Sequence, residues 1–444
     1  MKRYDSYKDS GIEWIGDIPS DWEVKKLNYC FSLIGSGTTP TASNQEYYEC
    51  GSLNWLQTGD LNDSEINETS KKITQKAIMD YPSLRFYPIN SLVIAMYGAT
   101  IGKTGILKIE SSVNQACCVI SNPLNLNYKF AFYWLNSIQK HIISLSYGGG
   151  QPNINQEQIR NLKIQLPPKS EQIAIASFLD QKTAEIDQLI ADKKRLIELY
   201  EEEKTAVINQ AVTKGIDPNV KMKDSGIEWL GKIPEHWEVK RLKYLLKQKK
   251  GSLKTGPFGS QLKTSDLSQN GTYKVYTQRN VLDNNFNTGD DRIDVSKFES
   301  LKEFLIDAKD ILFTSRGSIG KCSIFPSESE QGILHPCLIR IQTDSSKVSE
   351  EWIVKYVNES SYFIDNAKYE SNSTIIDVIY GGTLKEIFLP IPPLAEQNSI
   401  VDFIESKCSR INAKIEKTKR LIDLLAEYRT TLISEVVTGK IKVI

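Results

Sequence analysis

The chain is poor in the residues that build metal centres and redox sites. It has only three histidines, and its seven cysteines, Cys30, Cys50, Cys117, Cys118, Cys322, Cys337 and Cys408, form no C-x-x-C pair. An odd, thinly spread set argues against a disulfide or zinc framework and fits reduced thiols in a cytoplasm. Nowhere do about 18 apolar residues run together, and the opening MKRYDSYKDSGIEW has no signal-peptide core. A soluble, cytoplasmic protein without a membrane segment is expected. Net charge is lacking too, since 55 Lys and Arg balance 55 Asp and Glu. Phosphate contacts need cations, so any nucleic-acid partner must be met by local charge.

Catalytic motifs are also missing. The stretch from Gly98 to Thr104, GATIGKT, has three residues between its glycines where a phosphate loop needs four, and the second version, Arg316 to Cys322, loses the hydroxyl that would bind magnesium. Turns between strands are the simpler reading, with Lys103, Arg316 and Lys321 free to meet phosphate, or the segment is a purely structural hairpin. Glu23-Val-Lys25 and Glu238-Val-Lys240 match the short E-x-K half of a nuclease site, but alternation beside Trp22 and Trp237 puts them on the solvent side of a strand. The two Pro-Pro pairs are followed by Lys169 and Leu394, not by the aromatic residue of a methyltransferase motif, and no G-x-G-x-x-G fingerprint occurs. Cys117 and Cys118 lie in an apolar, strand-like run and read as core. Chemistry, if any, must come from partners.

What is present is a unit written twice. Residues 8–27, KDSGIEWIGDIPSDWEVKKL, return at 223–242 as KDSGIEWLGKIPEHWEVKRL, and residues 166–216 return at 391–441. Residues 171–211 contain no proline or glycine, and Ile186, Ile190, Ile197, Tyr200, Val207 and Ala211 alternate spacings of three and four, with Lys193 and Lys204 filling the gaps. Ile411, Ile415, Ile422, Leu425, Leu432 and Val436 repeat the stripe 225 residues later. These are coiled-coil seams, and about 40 residues at 1.5 Å each make a rod of roughly 60 Å. The Glu201-Glu202-Glu203 run reads as a solvated helix face.

Between the repeated ends, strand-like runs at 91–96, 116–120, 310–314 and 338–341 alternate with Gly, Asn and Ser turns, and short aromatic-rich helices are expected at 128–142 and 350–362. The expected fold is α+β: two α/β domains separated by two long helices that pack as an antiparallel coiled coil with pseudo-twofold symmetry, placing the domains at opposite ends of the rod. The expected boundaries are 1–165 and 217–390 for the domains, and 166–216 and 391–444 for the helices.

Several stretches carry a family resemblance over nearly the whole chain. GIEWIGDIPSDWEVKKL, GSGTTPTASNQEYYECGSLNWLQTGDL, YGATIGKTGI, VNQACCVI and GGGQPNINQEQIRNLKIQLPPKSEQIAIASFLD are answered in the second half by TGPFGSQLKTSDL, YTQRNV, ILFTSRGSIGK, ILHPCLIRI and IPPLAEQNSIVDFI. In this order they resemble the specificity subunits of Type I restriction-modification enzymes. The resemblance implies a non-catalytic chain whose two target-recognition domains each bind half of a bipartite site on double-stranded DNA. It also implies recruitment of two modification subunits, which methylate adenine with S-adenosylmethionine, and of restriction subunits, which use ATP and magnesium. No cofactor is then bound by this chain itself. One departure is the second domain's exit, STIIDVIYGGTLKEIFL, which lacks the Q-P-N-I-N run and so offers no equivalent of Gln151 or Asn153.

For base readout the major groove asks for amides and arginine. In the first domain the candidates are Gln57, Thr58, Gln151 and Asn153; in the second they are Gln261, Lys263, Gln278, Arg279, Asn280 and Arg316. The same loops add Tyr97, Thr100, Lys103, Lys254, Ser318 and Lys321 as DNA contacts. For each, the alternative is an exposed polar loop or a side chain that caps its own turn, and Tyr97 and Phe258 could instead be packing residues. A second reading of the whole chain is a structural scaffold whose helices tether two protein-binding modules, which would show as two domains without a basic surface.

Overall fold

The computed structural model describes residues 2–146, 153–316, 320–371 and 378–443. The chain divides into two compact units, Met1–Lys194 with Lys419–Ile444, and Arg195–Thr418. Each unit holds one α/β body and a part of both long helices.

The helices begin where the double prolines end. Pro167-Pro168 and Pro392-Pro393 cannot continue a helix behind them but pre-set the first turn ahead, and the helices run Lys169–Lys214 and Leu394–Val437. Both end near a glycine in the left-handed region, Gly215 and Gly439, each with φ +75, the conformation that closes a helix C-terminus without a Cβ penalty. Every position of the expected seams is buried or half-buried, Lys193 and Lys204 included, whereas Glu201, Glu202 and Glu203 are exposed. In the second unit Lys204 donates to Asn412 at 3.1 Å and Lys414 lies 5.2 Å from the ring centre of Tyr200, so the two helix segments run antiparallel. In the first unit Arg429 meets Asp187 at 2.9 Å.

The two α/β bodies share one plan. In the first, an antiparallel run of strands orders Phe31–Ser36, Cys117–Pro123, Leu92–Ala95 and Thr104–Leu107, with Ser64–Ile66 added in parallel at the edge. In the second, Leu253–Thr255, Leu338–Ile341, Ile311–Thr314 and Cys322–Ile324 repeat the first four. A small second sheet accompanies each: Leu53–Leu56 pairs parallel with Ser112–Val113, and Tyr273–Tyr276 pairs parallel with Gly332–Leu334. The central strands are buried on both faces, as their unbroken apolar runs require.

The expected aromatic helices are each split in two. Tyr128–Ser137 gives way to Gln139–Ser144, and Glu350–Glu359 to Ser361–Ser371. The linking residue Ser360 is extended (φ −85, ψ 134), which no continuous helix tolerates. Each body is closed by an antiparallel pair next to the helix start, Glu23–Lys26 with Lys163–Leu166 and Glu238–Arg241 with Phe388–Ile391. On those strands Glu23 pairs with Lys25 at 2.6 Å and Glu238 with Lys240; Glu23, Lys25 and Glu238 are exposed and Lys240 is half-buried, so both E-x-K matches are ion pairs at the surface.

Candidate nucleic-acid interface

In the first body, four loops that are far apart in sequence are tied together by backbone hydrogen bonds at one end of the sheets. Asn114 N–H donates to Leu56 O at 2.9 Å, Met96 N–H to Ala116 O at 2.8 Å, and Ile154 N–H to Met96 O at 3.0 Å. Tyr97 and Asn153 form an isolated antiparallel bridge. Gln57 and Thr58, Tyr97, the 114–116 corner and Asn153 therefore belong to a single cluster.

The second body repeats the cluster bond for bond. His335 N–H donates to Tyr276 O at 3.0 Å, Ser315 N–H to Cys337 O at 3.0 Å, and Ile379 N–H to Ser315 O at 2.9 Å, with Arg316 bridged to Val378. Val378 thus takes the place of Asn153. The sequence departure at the second exit removes the amide side chain but keeps the backbone position, so what the second body lacks is the side chain of Asn153 and not its place in the frame. Thr277 and Gln278 stand where Gln57 and Thr58 stand, and Arg316 stands where Tyr97 stands.

A glycine in each body lets this happen. A Cβ on Gly37 would collide with the carbonyl oxygen of Val113, and one on Gly256 with that of His335, so a fifth segment passes hard against each corner.

The expected site residues separate by what their polar atoms already do. Tyr97 is exposed, not packed, as is Phe258 at 73%. Among the described residues the side chains of Thr58, Tyr97, Lys103, Asn153, Gln278 and Arg316 meet no hydrogen-bond or ion-pair partner, and none of them is buried. Gln57 is half-buried at the start of a turn, where its N–H donates to Asp60 Oδ2 at 2.8 Å. Lys263 starts the matching turn, its N–H on Asp266 Oδ2 at 2.8 Å. Gln261 Oε1 accepts from Phe258 N–H at 2.9 Å, and Thr100 Oγ1 donates weakly to Tyr97 O at 3.4 Å.

Others are engaged more deeply. Asn280 is 2% exposed; its Oδ1 accepts from Thr277 N–H at 2.9 Å and its Nδ2 donates to the carbonyls of Asn285 and Thr288 at 3.0 and 2.8 Å. It locks a turn and has nothing left for a base, contrary to the sequence expectation. Lys254 pairs with Glu303 at 2.5 Å over the ring of Phe304, so its charge is already answered. Lys321 Nζ donates to Asn358 O at 2.9 Å, and Arg279 pairs with Asp283 at 3.2 Å while staying largely exposed. Gln151 and Ser318 lie outside the described residues.

Three residues of the cluster escape a sequence reading: Asn114, Gln115 and His335. Their runs, VNQACC and LHPC, look like strand ends, and only the long-range hydrogen bonds reveal a shared corner. Cys337 borders that corner, its thiol 2.9 Å from His335 Nδ1; burial raises its pKa, and hydrogen bonds from the Gln278 and Cys337 backbone, then the charge of Arg316, draw it partly back. Cys117 and Cys118 are fully buried, and burial pushes the Cys118 thiol up to about 12. Neither is a nucleophile. Residues 98–100 form a single tight turn leading back into a strand, not the helix start that would cradle a phosphate.

The profile of the Type I restriction modification DNA specificity domain matches residues 19–199 and again 234–422. The chain is similar to the MjaVIII specificity subunit of Methanocaldococcus jannaschii, at 26% identity over 96% of this chain and 94% of that one. It is also similar to the EcoKI specificity subunit of Escherichia coli, at 24% identity over 88% of this chain and 82% of that one. Among solved structures it shares its fold with a chain from a type I R-M system (TM-score 0.68, 14% identity, 96% of this chain and 99% of that one). The HsdS subunit from Thermoanaerobacter tengcongensis is a second such neighbour (TM-score 0.59, 14% identity, 96% and 98% covered).

Proposed function

Because the chain belongs to the Type I restriction-modification DNA specificity family, we propose that it is the DNA-reading subunit of such a system, each α/β body taking one half of a bipartite site on double-stranded DNA. It performs no reaction itself. Modification subunits, two per chain, methylate adenine with S-adenosylmethionine, and restriction subunits use ATP and magnesium; this chain supplies the address.

One observation carries the reading. The loop cluster is the same backbone in both bodies, yet the side chains at matching places differ: Tyr97 against Arg316, Asn153 against Val378, Gln57-Thr58 against Thr277-Gln278. A constant frame with a varied rim is what reading two different half-sites requires, because base edges differ in their donor and acceptor pattern while the duplex does not. The unpartnered side chains divide by chemistry. Lys103 and Arg316 are suited to phosphate or guanine, and Thr58, Asn153 and Gln278 to base edges, while the Tyr97 ring of the first body is exposed. The scaffold alternative has no such account of the varied rim.

The test is association. Co-expressed with its modification subunits, the chain should form a complex whose affinity for DNA falls steeply with salt, as counterion release demands. Failure to form a complex, or a salt-independent affinity, would overturn the proposal.

A further inference from the structure

We propose that the corner after the short strands Ser112–Val113 and Gly332–Leu334 carries a specificity-determining side chain in each body: Gln115, reading adenine in one half-site, and His335, reading guanine in the other. The inference rests on the DNA-reading role above and names the residues through which it acts.

The corner is held from several sides. Its backbone is bonded to the ends of two other strands, and Gly37 or Gly256 presses against it with no room for a Cβ. Each corner is also locked from within by the same device. Asn114 Oδ1 accepts from Ala116 N–H at 3.2 Å, and His335 Nδ1 accepts from Cys337 N–H at 3.3 Å. A side chain placed on so fixed a frame can meet a base edge without first paying to become ordered.

What the corners present then differs. In the first body the tip is Gln115, exposed, with its backbone N–H on Thr39 Oγ1 at 3.5 Å and its amide without a partner among the described residues. In the second the tip is Pro336, which has no polar side chain, and the polar group falls one residue back. His335 Nδ1 accepts the Cys337 N–H and lies 2.9 Å from the Cys337 thiol, which burial keeps protonated and able to donate to it. With Nδ1 as the acceptor of both, the neutral ring carries its proton on Nε2, and Nε2 has no partner among the described residues. Burial lowers the His335 pKa, which favours this neutral form. A free amide offers a donor and an acceptor together, the pattern that adenine N7 and N6 complement. A single N–H donor meets the N7 and O6 acceptors of guanine.

The experiment uses the chain assembled with its modification subunits, with methylated adenines mapped across genomic DNA. If the unmodified complex shows no split motif, the functional reading itself fails. Given a split motif, Gln115→Ala is expected to relax one base pair by about tenfold or more and to leave the other half-site as it was. His335→Asn retains an acceptor for the Cys337 N–H, as Asn114 does for Ala116, and is expected to change one base pair of the other half-site only. If His335 merely locks its turn, that variant keeps the motif, and the assignment is overturned. An unchanged motif in Gln115→Ala, or relaxation of both half-sites by either variant, overturns it equally. Should His335→Asn fail to assemble, Gln115→Ala, made at an exposed side chain, decides.

Discussion

Trp22 and Glu171, 149 residues apart, share a hydrogen bond of 3.2 Å from the indole N–H to Oε2, and Trp237 and Glu396 repeat it at 3.1 Å. The bond fastens the opening strand of each body to the first turn of its long helix, where a carboxylate also suits the helix dipole. Gln172 and Gln397 follow with matching bonds, accepting from Asn127 N–H and Ser349 N–H at 2.8 and 2.9 Å and donating to Pro167 O and Pro392 O at 2.9 and 2.8 Å. Body and helix are therefore joined by the same side chains twice over, which is how a duplicated unit keeps its joint while its rim changes.

Replacing Glu171 with Ala strands the Trp22 indole N–H and the Tyr4 hydroxyl, which donates to Oε1 at 2.5 Å. One buried donor and one half-buried donor left without their acceptor should cost about 1–3 kcal/mol. Thermal unfolding monitored by tryptophan fluorescence should show a lowered Tm, while Glu171→Gln, which retains an acceptor, should lose less.

Arg340 is a second buried joint. It is 8% exposed, donates to Leu305 O and to Gly251 O, the latter at 3.0 Å, and lies 3.7 Å from Asp310, which also accepts from Gln342 at 2.8 Å. Arg340→Ala leaves the Asp310 carboxylate buried without its cation, and urea unfolding should report a loss of about 3–5 kcal/mol. Arg340→Met together with Asp310→Asn should recover part of it.

Alkaline pH should loosen the fold. Burial first, then the bond to Glu171, raises the Tyr4 hydroxyl above its usual 10.0; burial also raises Tyr133 and Tyr356, and pushes Tyr276 up to about 12. Below pH 10 these phenols are neutral in the folded and unfolded chains alike. Above it the unfolded chain sheds protons that the folded one retains, so stability is lost progressively as pH rises from 10 through 12. A denaturation midpoint that stays flat across that window would contradict the burial of these four groups.

Asn280 and Gln278 should separate stability from readout. Asn280→Ala breaks a turn held by three hydrogen bonds and is expected to cost about 1–3 kcal/mol of stability, lowering the Tm. Gln278→Ala removes an unpartnered amide and should change the unfolding free energy by no more than about 0.5 kcal/mol, leaving the Tm nearly unchanged, while altering the second half-site. Calorimetry and methylation mapping on the pair check both.

The two lysines of the central turns should differ in the same spirit. Lys103 has no partner among the described residues, whereas Lys321 is tied to Asn358 O. In DNA-binding titrations Lys103→Ala should reduce the salt slope by about 1, with Lys321→Ala having a smaller effect.

Much of this architecture is legible in the sequence because it rests on short-range rules. The three-four spacing from Ile186 to Ala211 marks the seam, the double prolines mark the helix starts, and the repeated tryptophan motif marks two like bodies. The rim is legible only in part. Gln278 and Arg316 are found by residue type, since an amide and a guanidinium are what base edges need. Asn280 has the same chemistry but spends it inside its own turn, and no local pattern distinguishes it from Gln278 two residues earlier. Gln115 and His335 are missed for the opposite reason: their position depends on bonds to Leu56 and Tyr276, nearly sixty residues away. The kinship of Asn153 and Val378 is likewise a matter of backbone, invisible once the side chains have diverged.

The central claim is that one chain addresses two separate stretches of duplex. The most direct measurement is a genome-wide map of methylated adenine made by this chain assembled with its modification subunits, in a host lacking other adenine methyltransferases. The account predicts a motif of two short specified halves separated by a gap of fixed length and unspecified sequence. Methylation at a single undivided motif, or without regard to sequence, would contradict it.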